Sequence, residues 1–153
     1  MPVILDVPSI GIHGANLVQL GQDTDGSIQV PAVGPNSPAG WFQNSPTPGQ
    51  LGASVIVGHV DSATAGPAIF YRLGTLRPGD TATVTRADNT VAAFSVDSVE
   101  KYAKATFPTL QVFGDTDHAG LRMITCGGTF NPTKASYEDN IVVYAHLVSS
   151  HPA

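Results

Sequence analysis

Short hydrophobic runs separated by turn residues recur along the whole chain. Residues 53–57 and 121–126 are continuous apolar runs, whereas residues 81–86 and 91–104 alternate between apolar and polar positions, with a turn at 87–90 between them. Continuous runs of this length predict buried strands, and alternating runs predict strands with one face towards solvent. Short strands at this spacing predict a closed or nearly closed antiparallel barrel, in one all-β domain that spans residues 1–153.

The segments between these runs hold fewer periodic signals. Residues 27–30 predict a short strand, and residues 31–52, rich in proline, glycine, serine and asparagine, predict a long ordered loop pinned by the aromatic pair Trp41–Phe42. Residues 66–73 predict one or two helical turns, because Pro67 stands where the first turn of a helix tolerates its missing N–H.

A long connection, residues 105–120, precedes the second apolar run and contains three potential metal ligands, Asp115, Asp117 and His118. A metal would need further ligands nearby, and none stand close in the sequence. We therefore interpret the three residues as solvated turn residues and predict no metal or other cofactor. No acidic cluster with the spacing of a calcium loop is present either.

Composition narrows the possible functions. With 153 residues, 42% of them hydrophobic, the chain is long enough for one domain with a core. The net charge of −5, with no run of lysine and arginine, disfavours binding to nucleic acid or to an anionic membrane surface. The single cysteine excludes an internal disulfide and a cysteine-based zinc cage. Neither a signal peptide nor an apolar run near 18 residues is present.

Two residues stand where strands are predicted to end. Cys126 closes the second apolar run and is followed by a pair of glycines, which predict a loop over residues 127–138. A thiol at a strand end is held rigidly and suits a nucleophile, although a free cysteine is equally compatible with inert burial. His59 follows the run at 53–57, and its alternative role is a histidine hydrogen-bonded at the sheet edge to Asp61 or to backbone.

The order and spacing of several short motifs resemble the sortase family over residues 8–148. The thiol strand, the Gly-His strand end and the final strand carry the resemblance, and further motifs are most similar to class F, the actinobacterial type. They are Ala39-Gly40-Trp41-Phe42, Val57-Gly58-His59-Val60-Asp61-Ser62, Leu76-Arg77-Pro78-Gly79-Asp80, Ile124-Thr125-Cys126-Gly127-Gly128, Tyr137-Glu138-Asp139-Asn140 and Val143-Tyr144-Ala145.

The resemblance implies a cysteine transpeptidase on an eight-stranded closed barrel with one or two short helices. Such enzymes cut a sorting signal similar to Leu-Pro-X-Thr-Gly between Thr and Gly, and pass the acyl group to an amine of a cell-wall precursor or slowly to water. By this resemblance Cys126 is the nucleophile, His59 is the general acid and then the general base, and Thr125 supports substrate contacts. The family also implies a monomer at the outer face of a Gram-positive cell membrane, held by an anchor absent from this chain.

The chain departs from the family pattern at one position. Sortases carry an arginine on or just before the last strand, where it stabilises the oxyanion or orients the substrate. Here that position falls on Asn140, with Glu138 just ahead. We name two substitutes. Arg122, which strand alternation places on the same face as Cys126, serves as the functional arginine or forms a salt bridge on the barrel wall. Asn140 donates a weaker, neutral hydrogen bond.

Three hypotheses follow: a sortase transpeptidase, a sortase-like module that binds a peptide with weak or only hydrolytic activity, and an unrelated barrel with a structural cysteine. The sorting motif (Leu-Pro-X-Thr-Gly or Leu-Ala-X-Thr-Gly), the acceptor amine and the protein substrates are not encoded in any residue pattern that we can interpret.

Overall fold

The computed structural model of the chain describes a defined part of its 153 residues. Backbone is described for residues 1–26, 28–32, 37–62, 66–114, 116–133 and 136–153. Side chains are described for these residues apart from 62, 110, 126–130 and 136. Some sequence predictions therefore fall wholly or partly outside the described residues: the strand at 27–30, the loop at 31–52, the turn residue Asp115 and the loop at 127–138.

The described residues form ten strands and one α-helix, and eight of the strands close into a barrel in the order β1-β2-β3-β4-β9-β10-β8-β7. This confirms the predicted all-β, eight-stranded closed barrel. The strands are β1 Pro2–Val7, β2 Ile12–Leu20, β3 Ala39–Phe42, β4 Gly52–Val57, β5 Asp61–Ser62, β6 Gly66–Pro67, β7 Thr81–Arg86, β8 Thr90–Ala103, β9 Ala119–Asn131 and β10 Ser136–Pro152. The helix is α1 Thr109–Phe113, and three 3-10 turns lie at Pro8–Ile10, Leu73–Thr75 and Lys104–Thr106.

The sequence predicted an antiparallel barrel, and the structure differs because the barrel includes parallel strand pairs. Strand β2 pairs with β3, and β4 pairs with β9, in parallel. A parallel pair needs a crossover connection. For β4 and β9 the connection is residues 58–118, which contain β5 to β8 and α1. The carboxyl-terminal end of β4 consequently lies beside Ile124, and β9 continues beyond it.

Side-chain alternation separates the barrel interior from its outer face. Leu121 and Met123 of β9 point into the interior cluster, which also holds Phe94, whereas Ile124 belongs to a second cluster on the other face. Val112 of α1 is fully buried in that second cluster. The short helix therefore seals the outer face of the β4–β9–β10 sheet.

Two predicted loops contain strand. Ala39–Phe42 was predicted as part of a loop, but it pairs with β2 on one side and β4 on the other, and Trp41 is buried as expected. The glycine pair after Cys126 does not end its strand, because β9 continues to Asn131 and pairs with β10 along the way. Cys126 is therefore a residue within a strand.

The turn at 87–90 is confirmed, and the helical turns at 66–73 are displaced. Asn89 adopts a φ of 65°, and the Asp88 carboxylate accepts a hydrogen bond from the Thr90 N–H, which closes the hairpin. Pro67 lies in the two-residue strand β6, and the 3-10 turn begins only at Leu73.

Both chain ends lie beside this hairpin. The backbone N–H of Ala87 donates to the carbonyl of Met1, and the N–H of Ala153 donates to the carbonyl of Asn89. They occupy the end of the barrel opposite Asn140, because β10 runs from its pairing with the Ala103 end of β8 to its pairing with Thr90.

Among the described residues, no helix has the length and apolar character that crossing a membrane would require.

We predict that Leu121→Ala lowers the free energy of unfolding by about 2–5 kcal/mol, because it leaves a cavity in the barrel interior. Leu121 is fully buried. The matched control is Leu51→Ala, at a side chain that is 70% exposed, which should change stability by no more than about 0.5 kcal/mol. Urea unfolding of both variants measures the difference, and equal losses would contradict this assignment of the core.

Candidate active site

His59 lies two residues beyond the end of β4 and is held there by backbone contacts. The N–H of Gly58 donates to the carbonyl of Ile124 on β9 at 3.1 Å, which extends the β4–β9 pairing past Val57. The carbonyl of His59 accepts from the N–H of Phe70 at 3.0 Å. The loop that carries the imidazole is therefore fixed against β9 on one side and against the buried Phe70 on the other.

The imidazole of His59 contacts the connection between β2 and β3. Its Nε2 lies 2.6 Å from the carbonyl oxygen of Pro31. Because a carbonyl oxygen can only accept, Nε2 must carry the proton in this contact. In neutral His59 the unprotonated nitrogen is then Nδ1. The contact is with backbone, one of the two alternative partners expected for a sheet-edge histidine, and Asp61 instead bonds elsewhere.

Gly58 is required by the close approach of its neighbours. A Cβ added at this position would lie 2.7 Å from Cδ2 of Phe70 and 3.0 Å from Cγ2 of Ile69. Phe70 is fully buried, so its ring has little room to move. The glycine of the Gly-His pair thus permits the packing that positions His59.

Cys126 lies on the strand next to His59 at the level of the backbone. Strand β9 pairs in parallel with β4 up to Val57 and Ile124, and the hydrogen bond from Gly58 to the Ile124 carbonyl is the last described backbone contact between them, so His59 and Cys126 each lie two residues beyond the last ladder pair. On the other side, Cys126 pairs with Asn140 of β10. The side chain of Cys126 lies outside the described residues, so the approach of its thiol to His59 stays a prediction.

A groove of about 480 Å³ opens beside these residues. Ile124 and Asn140 line it from β9 and β10, and Val57 lines it from β4. Aromatic rings from the long connection, Phe107 and Phe113, form the opposite wall. The groove is mostly apolar, with an amide at the position opposite Cys126, which suits an extended peptide with apolar side chains.

Thr125 faces away from the groove. Its side chain is only 3% exposed, and its hydroxyl has no hydrogen-bond partner within the part of the chain that the structure describes. By strand alternation it shares the interior face of β9 with Leu121 and Met123. Its predicted support of substrate contacts stays a prediction, and from this position it would act through packing of the strand.

The Arg122 guanidinium is directed along β9 towards Gly120, away from position 126. It stacks 4.5 Å from the centre of the Tyr144 ring, and its Nη1 lies 3.1 Å from where a Cβ on Gly120 would be. Its one described hydrogen bond, from Nη1 to the Leu121 carbonyl, is long at 3.4 Å. Four strand residues separate Arg122 from Cys126, a span of about 13 Å. The alternative predicted for Arg122, a salt bridge on the barrel wall, is not formed among the described residues.

Burial controls the electrostatics around Arg122. Desolvation lowers the pKa of its guanidinium, and neighbouring Tyr144 and Asp97 act in the opposite direction. Burial, followed by the hydrogen bond between the hydroxyls of Tyr144 and Tyr102, raises the pKa of the Tyr144 phenol above its ordinary value. Arginine keeps its proton in such surroundings, so Arg122 is a buried cation that stacks on the Tyr144 ring.

Sequence reasoning missed several contacts near the site. The hydroxyl of Tyr137 donates to the Asp61 carboxylate at 2.6 Å, and Pro31 meets His59. No local pattern reveals such pairs, because their members are far apart in the chain. Asp117 and His118 are exposed and contact each other, as expected for turn residues, and no group of three or more metal-ligating side chains occurs among the described residues.

Comparisons with known proteins agree with this geometry. The family model of the sortase domain matches residues 5–148. A search among curated protein sequences found no match. Sortase A from Corynebacterium diphtheriae is 23% identical, with a TM-score of 0.70 over 97% of this chain and 61% of its own, so this chain spans about three-fifths of that protein's length.

Other solved structures share the fold at similar distance. The SrtA sortase from Actinomyces oris is 21% identical, with a TM-score of 0.71 over 99% of this chain and 81% of its own. A sortase E mutant from Streptomyces avermitilis is 19% identical, with a TM-score of 0.69 over 99% of this chain and 90% of its own. At these identities the likeness shows a common barrel.

We predict that Gly58→Ala destabilises the chain by about 1–3 kcal/mol and displaces the His59 loop, because the new methyl group overlaps the Phe70 ring. Thermal unfolding and the NMR shifts of the His59 ring report the two effects. The double variant Gly58→Ala/Phe70→Leu should lose less stability than the two single losses added together, since it relieves the overlap. If the two stability losses were strictly additive, contact with the Phe70 ring would not be the cause of the destabilisation by Gly58→Ala.

Proposed function

Because the chain belongs to the sortase family, we propose that it is a cysteine transpeptidase. In this proposal it cleaves a sorting signal similar to Leu-Pro-X-Thr-Gly between Thr and Gly. It then transfers the acyl group to an amine of a cell-wall precursor. The observation that supports the proposal is the parallel β4–β9 pairing, because His59 lies in the loop two residues after β4 and Cys126 lies two residues after Ile124, the last described ladder partner of β4.

The two residues divide the chemistry between them. The Cys126 thiolate attacks the threonine carbonyl and forms a thioester, and the glycine amine leaves with a proton from His59. Neutral His59 then takes a proton from the incoming amine, which displaces the thiolate and forms the new amide. Because Nε2 is occupied by the Pro31 carbonyl, Nδ1 is the nitrogen available to exchange this proton.

The apolar groove is the proposed peptide site. Val57, Ile124 and the phenylalanine rings of the long connection offer apolar contacts on the side where Cys126 pairs with Asn140. The groove also keeps water from the reacting carbonyl, which favours transfer to an amine over hydrolysis.

Geometry favours Asn140 over Arg122 as the third group of the site. Asn140 lies opposite Cys126 in the ladder and lines the groove. Arg122 is directed towards Gly120 and would have to leave Tyr144 to approach the thiol. A functional role for Arg122 stays a prediction, and we propose that Asn140 donates the hydrogen bond that stabilises the oxyanion. A neutral donor stabilises an oxyanion less than a cation does, so turnover should be slow.

The remaining assignments rest on the family and on the sequence motifs. We assign the chain to class F and place it at the outer face of a Gram-positive cell membrane, attached through a segment outside these residues. Its partners would be sorting-signal peptides and a cell-wall amine, and it would act as a monomer without a cofactor.

A second candidate function is a peptide-binding module with weak or only hydrolytic activity. It is favoured by one observation, that Glu138 and Asn140 stand where the family carries its arginine and Arg122 is turned away. Such a module would retain the groove and the peptide affinity while forming acyl-enzyme poorly.

We predict that the protein, incubated with a Leu-Pro-X-Thr-Gly peptide and an amine, gives a thioester adduct on Cys126 and a threonine–amine product in mass spectra. Cys126→Ala should abolish both, and His59→Ala should slow product formation by about 10²–10⁴-fold. A Leu-Ala-X-Thr-Gly peptide tests the alternative motif. Peptide binding with no adduct for either motif would favour the binding module and would refute the transpeptidase.

We predict that Asn140→Ala lowers kcat at least about tenfold, because it removes the donor opposite the nucleophile. Arg122→Met should lower stability and leave kcat within about twofold, with exposed Arg72→Met as the matched control. Initial rates and urea unfolding of the three variants measure both quantities. Loss of turnover in Arg122→Met alone would restore Arg122 as the functional arginine.

A further inference from the structure

One side-chain hydrogen bond ties the loop that carries His59 to the strand that faces Cys126. The Tyr137 hydroxyl donates to Oδ2 of Asp61 at 2.6 Å, across 76 residues of chain. Both side chains are half-buried. Asp61 opens β5, and Tyr137 is the second residue of β10. Nothing in the comparisons or in the proposed chemistry assigns a role to this pair.

The location of the bond makes it informative. Asp61 follows His59 by two residues, and Tyr137 precedes Asn140 by three, while Asn140 is the ladder partner of Cys126. The bond therefore joins the histidine loop to β10 across the end of β9 on which the nucleophile lies.

The loop needs such a tie because it has left the ladder. Strand β4 ends at Val57, and beyond it the loop backbone is held by Gly58 to β9, and by Phe70 and Ala68 to the chain that follows. Of these contacts, only the hydrogen bond from Gly58 joins the loop to β9, the strand that carries Cys126. The Asp61–Tyr137 bond adds a second, on the β10 side, and a hydrogen bond to a carboxylate is among the stronger kinds.

We infer that Asp61 and Tyr137 are positioning residues, whose hydrogen bond sets the distance between His59 and Cys126. The inference rests on the proposed transpeptidase function, in which a proton passes between His59, the leaving amine and the incoming amine. Misplacing a catalytic group by about 1 Å can lower a rate about a hundredfold, so the distance is worth fixing.

A different role for Asp61 is electrostatic, as a negative charge that favours the protonated imidazole. The other described acidic side chains on the facing element are Glu138, which is exposed and accepts from Asn131, and Asp139, which lies 4.0 Å from Lys101. Asp61→Asn separates the two roles, because the amide keeps an oxygen that accepts from Tyr137 and removes the charge.

The test measures the rate of Cys126 alkylation by iodoacetamide as a function of pH, which needs no substrate. The single cysteine makes the signal unambiguous. The proteins compared are wild type, Tyr137→Phe, Asp61→Ala, Asp61→Asn and His59→Ala, with exposed Tyr71→Phe as the matched loss of a hydroxyl. Steady-state rates with the sorting peptide give kcat and KM for the same set, and thermal unfolding checks that each variant folds.

We expect the profiles of Tyr137→Phe and Asp61→Ala to move towards that of His59→Ala, with kcat lowered about tenfold at unchanged KM. Asp61→Asn and Tyr71→Phe should keep the wild-type profile. An unshifted Tyr137→Phe profile would overturn the inference, as would a shift in Asp61→Asn as large as in Asp61→Ala, or identical profiles for wild type and His59→Ala. A wild type that shows the coupled profile yet turns over no peptide would refute the transpeptidase and leave the positioning pair supported.

Discussion

The parallel hydrogen bonding between β4 and β9 is the constraint on which the candidate site depends. The central part of this strand pair is buried on both faces. Ile56 and Met123 are buried inside the barrel, and Val55 and Ile124 are buried on the outer face together with Val112 of α1. A parallel ladder buried in this way has no solvent competing for its hydrogen bonds, so its register is well specified. The end of β4 and the middle of β9, which are distant in sequence, thereby become neighbours, and the register of the ladder sets which of their residues lie side by side.

The sequence carries the parts of the site that local chemistry determines. His59 and Cys126 could be found because each follows a β-branched run, where a polar or reactive side chain contrasts with its surroundings. The partner strands could not be found, since pairing order depends on which faces bury each other. Ala39–Phe42 was taken for loop because proline and glycine surround it, although burial of Trp41 between β2 and β4 outweighs those local preferences. The glycines after Cys126 were misleading for the same reason, because ladder pairing with β10 continues through them.

Arg122 shows the limit of face and spacing arguments. Strand alternation predicts which face of the strand a residue occupies, but the direction of a long side chain along that face is set by its neighbours. Tyr144 offers an aromatic surface, and the absence of a side chain at Gly120 leaves room for the guanidinium. Cation–aromatic contact contributes about 0.5–2 kcal/mol, which offsets part of the cost of removing the charge from water. The cation is thereby held on the barrel wall beside Tyr144 and Gly120, away from position 126.

The meeting of both chain ends at the β7–β8 hairpin has a consequence for how this barrel can be rearranged. Met1 and Ala153 hydrogen-bond to residues only two apart, at the pole of the barrel remote from the groove. A linker of a few residues would therefore close the chain into a ring without crossing the reacting edge, and the backbone could be reopened at an exposed turn, giving a circular permutant with the same strand pairing. A surface or fusion partner attached at residue 1 or residue 153 would likewise stand on the order of 40 Å from the groove, the length of strand β8. Immobilisation through an end would thus leave the groove pointing away from the support.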